Sequence, residues 1–326
     1  MPNAHHSPRI ASALLFVAAF LLSACSQEEP VATGADGMQD SPDRPRVALI
    51  MKSLANEFFV SMADGARAHQ AANPQRYSLV VNGIRNESDL AQQVALMEQM
   101  MATGVDIIVI APADSRALLP VARRAVQQGI VVVNIDNQFD RQLLAEMDIA
   151  IPFVGPDNRD GARRVGERLA AELDPGSDVA IIGGIPGAFN ARERAAGFMD
   201  AMQAAEITVV STQAADWEQA KAANIASALL REYPQLDALL CANDSMALGA
   251  VAAVRQAGRE GSVRIVGFDN IAAANTLVHS GSMVATADQH ADRLAVYGIE
   301  YALDILDSGQ VPADRTTPVD VISGDR

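Results

Sequence analysis

From Arg46 onward the chain repeats one pattern: four to six consecutive apolar residues, a polar turn, then a longer stretch with apolar positions at helical spacing. In the first half the strand candidates are Val47–Met51, Ser78–Asn82, Ile107–Ile110 and Val131–Ile135. After the segment Pro152-Phe153-Val154-Gly155-Pro156 the alternation restarts with Val179–Ile182, Ile207–Ser211, Ala238–Cys241 and Val263–Val266. Runs that are continuous rather than alternating predict strands covered on both faces, and strands separated by helices predict parallel pairing. The expected fold class is therefore α/β, with two Rossmann-like, doubly wound parallel-sheet domains that share an architecture but no exact sequence repeat.

The first residues follow a different pattern. One formal charge, Arg9, precedes the apolar run Ile10–Leu22 and the small residues Ser23 and Ala24, the layout of an export signal over residues 1–24. Those thirteen residues rise about 20 Å as a helix, short of the roughly 30 Å of a hydrocarbon core. Leu22-Ser23-Ala24-Cys25 resembles a lipoprotein cleavage site, at which the Cys25 sulfur takes a diacylglycerol. An ordinary signal cut after Ala24 leaves the same cysteine as a free thiol. Residues 25–45 are rich in Pro, Gly and acids and poor in large apolar side chains, as in a flexible tether.

Composition narrows the function classes. A length of 326 residues leaves room for two independent cores. With 40 acidic against 25 basic residues and a formal charge of −15, the chain repels a phosphate backbone, so nucleic acid is not an expected partner. Cys25 and Cys241 form neither a disulfide framework nor a Cys-x-x-Cys metal site. His69, His279 and His290 are scattered, and neither a zinc-protease helix, a serine nucleophile elbow nor a Walker A loop occurs. No metal, no cofactor and no catalytic centre is expected.

In open parallel sheets ligands collect beyond the carboxyl ends of the strands. Lys52, Asn56, Phe58 and Phe59 follow the first run, Asp136 and Asn137 the fourth, and the Gly183–Gly187 turn, Asn190 and Arg192 the run Val179–Ile182. Further on stand Trp217, Asn243, Asp269 and Gln289. Carboxylates, amides and a guanidinium match adjacent sugar hydroxyls, and aromatic rings cover the apolar C–H face of a sugar. Each element also has a plainer reading. Phe58 and Phe59 suit core packing, Asn243 and Asp269 suit helix capping, Arg192 suits a solvated helix face, and Cys241 suits a small buried hydrophobe.

The segments VALIMKSLANEFFVSMADGAR (47–67), APADSRAL (111–118), NARERAAGF (190–198), ANDSMALGA (242–250) and VGFDN (266–270) carry a resemblance. From about Val47 to Val321 the chain resembles the ribose/galactose-type family of periplasmic sugar-binding proteins, and is most similar to its ribose-binding branch. The resemblance implies two lobes joined by three hinge crossings near Pro156, His290 and Val321. It groups residues 46–156 with 290–320 in an N-terminal lobe and 157–289 with 321–326 in a C-terminal lobe. It further implies a monomer that closes on a monosaccharide or related polyol and docks on an ABC permease of the inner membrane. Its place is then the periplasm or cell envelope, held there by a lipid on Cys25. Sugar contacts carry over to Asn56, Phe58, Phe59, Asp136, Arg192, Trp217 in place of a Phe, Asn243, Asp269 and Gln289. Asn137 departs from the branch, which has an Arg there, and Lys52 matches a sugar-contacting lysine of arabinose-type relatives. The same resemblance leaves open a receptor, for a sugar or furanose signal, whose closed form is read by a membrane sensor or chemoreceptor. A sugar-responsive repressor shares the core but carries a basic helix-turn-helix in front, where this chain has its export signal.

Overall fold

The computed structural model of the chain describes residues 44–324. The predicted leader, Cys25 and the tether up to residue 43 lie outside the described residues. Strand β1 (Arg46–Ser53) shows why its sequence is apolar without alternation. Val47, Leu49 and Met51 enter one core with Phe58, Phe59 and Met62 of α1 (Glu57–Ala72). Ala48 and Ile50 enter another, with Met97 of α2 (Leu90–Ala102) and Leu119 of α3 (Leu119–Gln127). Side chains alternate faces along a strand, so a strand covered on both faces must be apolar throughout. Strand β3 (Ile107–Ile110) divides in the same way, Ile107 and Val109 to one side and Ile108 and Ile110 to the other. Each such buried aliphatic side chain stabilises the fold by about 1.5–3 kcal/mol.

Two six-stranded sheets result. The first orders β2 (Ser78–Ile84), β1, β3, β4 (Val131–Ile135), β5 (Phe153–Pro156) and β11 (Arg315–Thr317), all parallel. The second orders β7 (Thr208–Ala214), β6 (Asp178–Gly183), β8 (Ala238–Cys241), β9 (Arg264–Val266), β10 (Ala285–Asp288) and β12 (Asp320–Ser323). Its final pair, β10 with β12, is antiparallel, Thr286 standing opposite Ile322. The predicted pair of doubly wound α/β sheets is thus present, with one antiparallel edge that the pattern did not foretell.

Four strands escaped the pattern for physical reasons. The residues of β10, ATAD, are small or polar, and β5 ends in Gly155-Pro156. The edge strands β11 and β12 are short and largely polar or half exposed. Likewise β7 runs on through Thr212-Gln213-Ala214, edge residues with no apolar signal.

The chain crosses between the sheets three times. It passes at Asp157, between β5 and α5 (Asn158–Ala170), and at Gln289-His290, between β10 and α10 (Ala291–Ser308). The last crossing is Pro318-Val319, between β11 and β12. Asp320, grouped from sequence with the first lobe, therefore opens a strand of the second. Helix α10 packs on α1 and β4, and α5 packs on α6 (Phe189–Ala204). His290 takes the left-handed conformation (φ 54°, ψ 62°), and its Nε2 lies 2.9 Å from the Asp320 carboxylate, tying two crossings together. Among the described residues no helix is long and apolar enough to cross a membrane.

Candidate functional site

Both sheets turn their carboxyl ends toward one cleft, at β1 and β3 of the first and β6 and β8 of the second, where the winding reverses. The cleft holds a small cavity between the two lobes. The first lobe contributes Lys52, Asn56, Phe58, Phe59, Glu87 and Asp136, and the second contributes Asn190, Arg194, Trp217, Asn243 and Asp269.

Local chemistry explains how these side chains arrive there. Asn56 caps α1, its Oδ1 accepting from the Phe58 N–H at 3.1 Å, while its Nδ2 donates to Glu87 Oε1 at 3.3 Å. Asn243 caps α8 (Asp244–Gln256) by accepting from the Met246 N–H at 2.9 Å. Capping and cavity lining therefore coexist in one residue. The Phe58 and Phe59 rings meet edge to face, 5.1 Å between centroids, and belong to the core as well as the cavity wall. Asp136, Trp217 and Asp269 hold positive φ angles of 61°, 69° and 125°, conformations uncommon outside glycine and typical of strained functional positions. The Trp217 ring lies so close to Gly184 that a Cβ there would sit 2.1 Å from it. The glycine turn after β6 seats this ring.

Charge is paired within each wall. Lys52 Nζ lies 2.8 Å from Asp136 Oδ2 and 5.7 and 5.8 Å from the ring centroids of Phe59 and Trp217. Arg194 Nη1 lies 3.3 Å from Asp269 Oδ1 and donates to the Ala242 carbonyl at 2.9 Å, while Nε donates to Asn158 Oδ1 at 2.8 Å. The Arg194 guanidinium also stacks 3.8 Å from the Phe268 centroid. Gln289 Nε2 donates to Asp269 Oδ1 at 2.7 Å. Burial holds the Asp269 carboxyl well above the usual carboxylate range, against the pull of Arg194. Burial likewise pushes Glu87 up to about 7, with Lys52 opposing. Asp244, beneath the second wall, is pushed up to about 7 by burial although Thr286 Oγ1 and the Ile271 N–H donate to it at 2.8 and 3.0 Å.

Among the described residues, four buried polar atoms on the cavity lining make no hydrogen bond: Asp136 Oδ2, which faces Lys52 Nζ at 2.8 Å, and Glu87 Oε2, Asn190 Oδ1 and Trp217 Nε1, which face no partner. Gln289 Oε1, behind Asp269, is likewise without a partner. Buried polar groups of this kind cost free energy unless something pairs with them.

Of the residues expected at the site, Lys52, Asn56, Phe58, Phe59, Asp136, Trp217, Asn243 and Asp269 line the cavity, and Gln289 stands behind Asp269. Asn137 does not line it. Its Nδ2 donates to the Pro112 carbonyl at 2.9 Å and its Oδ1 accepts from the Asn190 N–H at 3.2 Å. Arg192 is exposed, reaching back to the Pro186 and Gly187 carbonyls at 3.3 Å. The arginine of the cavity is Arg194. Residues 190 and 194 share a helical face, whereas 192 is turned from them by about 200°. Sequence reasoning also missed Glu87. It stands three residues beyond the end of β2, and reading the end of that strand as the others were read would have found it.

The lobes touch through helix ends. The first-turn amides of α6 donate across the cleft, Phe189 N–H to Ser115 Oγ at 2.9 Å and Asn190 N–H to Asn137 Oδ1. The Ala272 N–H of α9 (Ala272–His279) donates to Glu57 Oε1 at 2.8 Å. Neither helix has a capping side chain of its own. The Asp114 carboxylate lies 2.3 Å from where a Cβ on Gly187 would stand, so any larger residue there displaces it.

A family model described as a periplasmic binding protein domain matches residues 47–310. The chain belongs to the periplasmic binding protein family. A D-ribose/D-allose-binding protein of Pseudomonas aeruginosa is 51% identical over 320 residues, covering 97% of this chain and 99% of the relative. Among solved structures, an ABC transporter solute binding protein from Burkholderia multivorans has a TM-score of 0.84 at 50% identity, covering 86% of this chain and 99% of that one. An ABC transporter periplasmic solute binding protein from Actinobacillus succinogenes with bound D-allose has a TM-score of 0.82 at 33% identity, covering 86% and 97%. As a periplasmic binding protein the chain is a binder, not an enzyme, and its two α/β sheets form the fold of these structures.

Proposed function

We propose that this periplasmic binding protein is the solute receptor of an ABC importer for a monosaccharide of the ribose and allose class. The observation that carries this reading is the set of unpartnered atoms on the cavity lining, Glu87 Oε2, Asn190 Oδ1 and Trp217 Nε1. They ask for a ligand that both donates and accepts hydrogen bonds. Lys52 and Arg194 already have carboxylate partners in Asp136 and Asp269, so the ligand need bring no charge. Phe58, Phe59 and Trp217 supply flat apolar surface for its C–H faces. The 51% identical relative is named for D-ribose and D-allose, and the 33% identical structure holds D-allose. Lys52 supplies a cation beside Asp136, in the neighbourhood where the ribose-binding branch has the arginine replaced here by Asn137.

A ligand held by both walls favours the closed arrangement only through its higher affinity for that state. Closure in turn presents the loaded receptor to a permease in the inner membrane, with ATP hydrolysed by a separate subunit. Residues 1–24 direct export, and a lipid on Cys25 holds the monomer at a membrane, where its effective concentration near the permease is raised. Thermal unfolding of the purified protein against pentoses, hexoses and polyols tests the reading. A sugar at 100 times its Kd stabilises by about 2.7 kcal/mol, a rise of a few degrees in a protein of this size. No rise with any monosaccharide contradicts it.

A further inference from the structure

The five ionisable side chains of the cavity lining do not balance. Lys52 is paired with Asp136 and Arg194 with Asp269, each pair lying within one wall. Glu87 has no cation of its own. It is 5% exposed, its Oε1 accepts from Asn56 Nδ2, and its Oε2 has no partner. The charged groups around it are Lys52 on β1, already neutralised, and the carboxylates of Asp136 beyond β4 and Glu218 before α7 (Gln219–Glu232). Its own loop adds Arg85, which is exposed. An ionised Glu87 thus gives the cavity lining a net negative charge next to two other acids, and a neutral protonated Glu87 gives it none.

We propose that Glu87 is a specificity-determining ligand contact, its carboxyl entering the closed complex as the neutral acid and donating a hydrogen bond from Oε2 to one oxygen of the sugar. The inference rests on reading the cavity as a monosaccharide site. A neutral sugar that displaces water from Glu87 removes the solvent that favours its charge and brings no cation in return. The pull of burial on this carboxyl, already up to about 7 with the lobes in contact, increases when the sugar takes the place of water, and binding above neutral pH takes up a proton. A sugar lacking the oxygen that Glu87 reads leaves a buried O–H unpaired, a loss that sites built to hydrogen-bond a ligand discriminate strongly against.

Calorimetric titrations of the purified protein with D-allose, D-ribose and monodeoxy forms of each, at pH 6 and pH 8, test this. They are run for wild type, Glu87→Gln and Glu87→Ala, in buffers of different ionisation heat. In wild type the affinity falls by up to about tenfold per unit above pH 7, and uptake approaches one proton per complex. In Glu87→Gln, which keeps a donor and never ionises, the profile flattens and the uptake drops by that proton. One deoxy position is penalised on the order of tenfold or more in wild type, and Glu87→Ala erases that penalty while leaving the others. Equal pH profiles and equal proton uptake in wild type and Glu87→Gln, with sugar still bound, overturn the role of Glu87 alone. Absence of binding to either sugar at both pH values overturns it together with the monosaccharide reading.

Discussion

The two walls of the cleft are incomplete in opposite ways. In the first wall Asn56 caps α1 and Asp89 caps α2, while α3 begins without a side-chain cap and Glu87 is left without a cation. Both lining carboxylates or cations of the second wall are satisfied, Arg194 with Asp269, but α6 and α9 begin without a capping side chain. Closing the lobes supplies those caps from Ser115, Asn137 and Glu57. Amides released by opening are simply solvated at modest cost. The contacts between the lobes are therefore of a kind that water can replace, and the balance between open and closed is left to the ligand. The strong interactions, the buried ion pairs, stay within one wall and need not break when the cleft opens.

Substitutions that separate these roles sharpen the contrast. The largest effect is expected from Arg194→Ala, which leaves Asp269 buried without its partner. Stability should fall by about 3–5 kcal/mol in urea unfolding, and sugar binding should vanish in titration. Next comes Glu87→Gln. Folded Glu87 keeps its proton to about pH 7 whereas the unfolded chain gives it up near its ordinary value of 4.5. The wild type therefore loses stability relative to the variant as pH rises through that window, by on the order of 2 kcal/mol between pH 5 and 8. Urea midpoints across this range measure the difference.

Smaller effects divide the two kinds of cap. Ser115→Ala or Glu57→Ala removes a cap that exists only when the lobes meet, worth about 1 kcal/mol. The ligand Kd should rise about fivefold while the urea midpoint of the ligand-free protein stays put. Asp89→Ala, which removes the bond from the Gln92 N–H at 3.0 Å, should do the reverse, lowering stability by about 1 kcal/mol with Kd unchanged. The smallest effect is expected from Arg192→Ala, an exposed side chain whose loss should stay within about 0.5 kcal/mol and leave sugar titrations as in wild type.

The architecture was legible because burial on both faces writes itself into sequence: Val47 to Met51 can be apolar throughout only in a covered strand. Strands whose burial depends on small or polar residues, such as Ala285–Asp288, leave no such mark. The site was legible wherever a residue follows an apolar run, as Lys52, Asp136, Asn243 and Asp269 do. Reading failed at Arg192 because two arginines stand two residues apart, and only the rotation of α6 decides which one faces inward. It failed at Glu87 because only the residue's place three positions beyond β2, and nothing in its own chemistry, points to the cleft. Asn137 taught a third lesson: a residue matched to a ligand contact serves instead to cap a helix of the other lobe.

The most direct test of the account is calorimetric titration of D-allose and D-ribose into wild type, Arg192→Ala and Arg194→Ala. The predicted result is saturable one-to-one binding of at least one sugar to wild type and to Arg192→Ala, and none to Arg194→Ala. Binding that survives Arg194→Ala, or no heat with either sugar in wild type, contradicts a monosaccharide cavity built from these two walls.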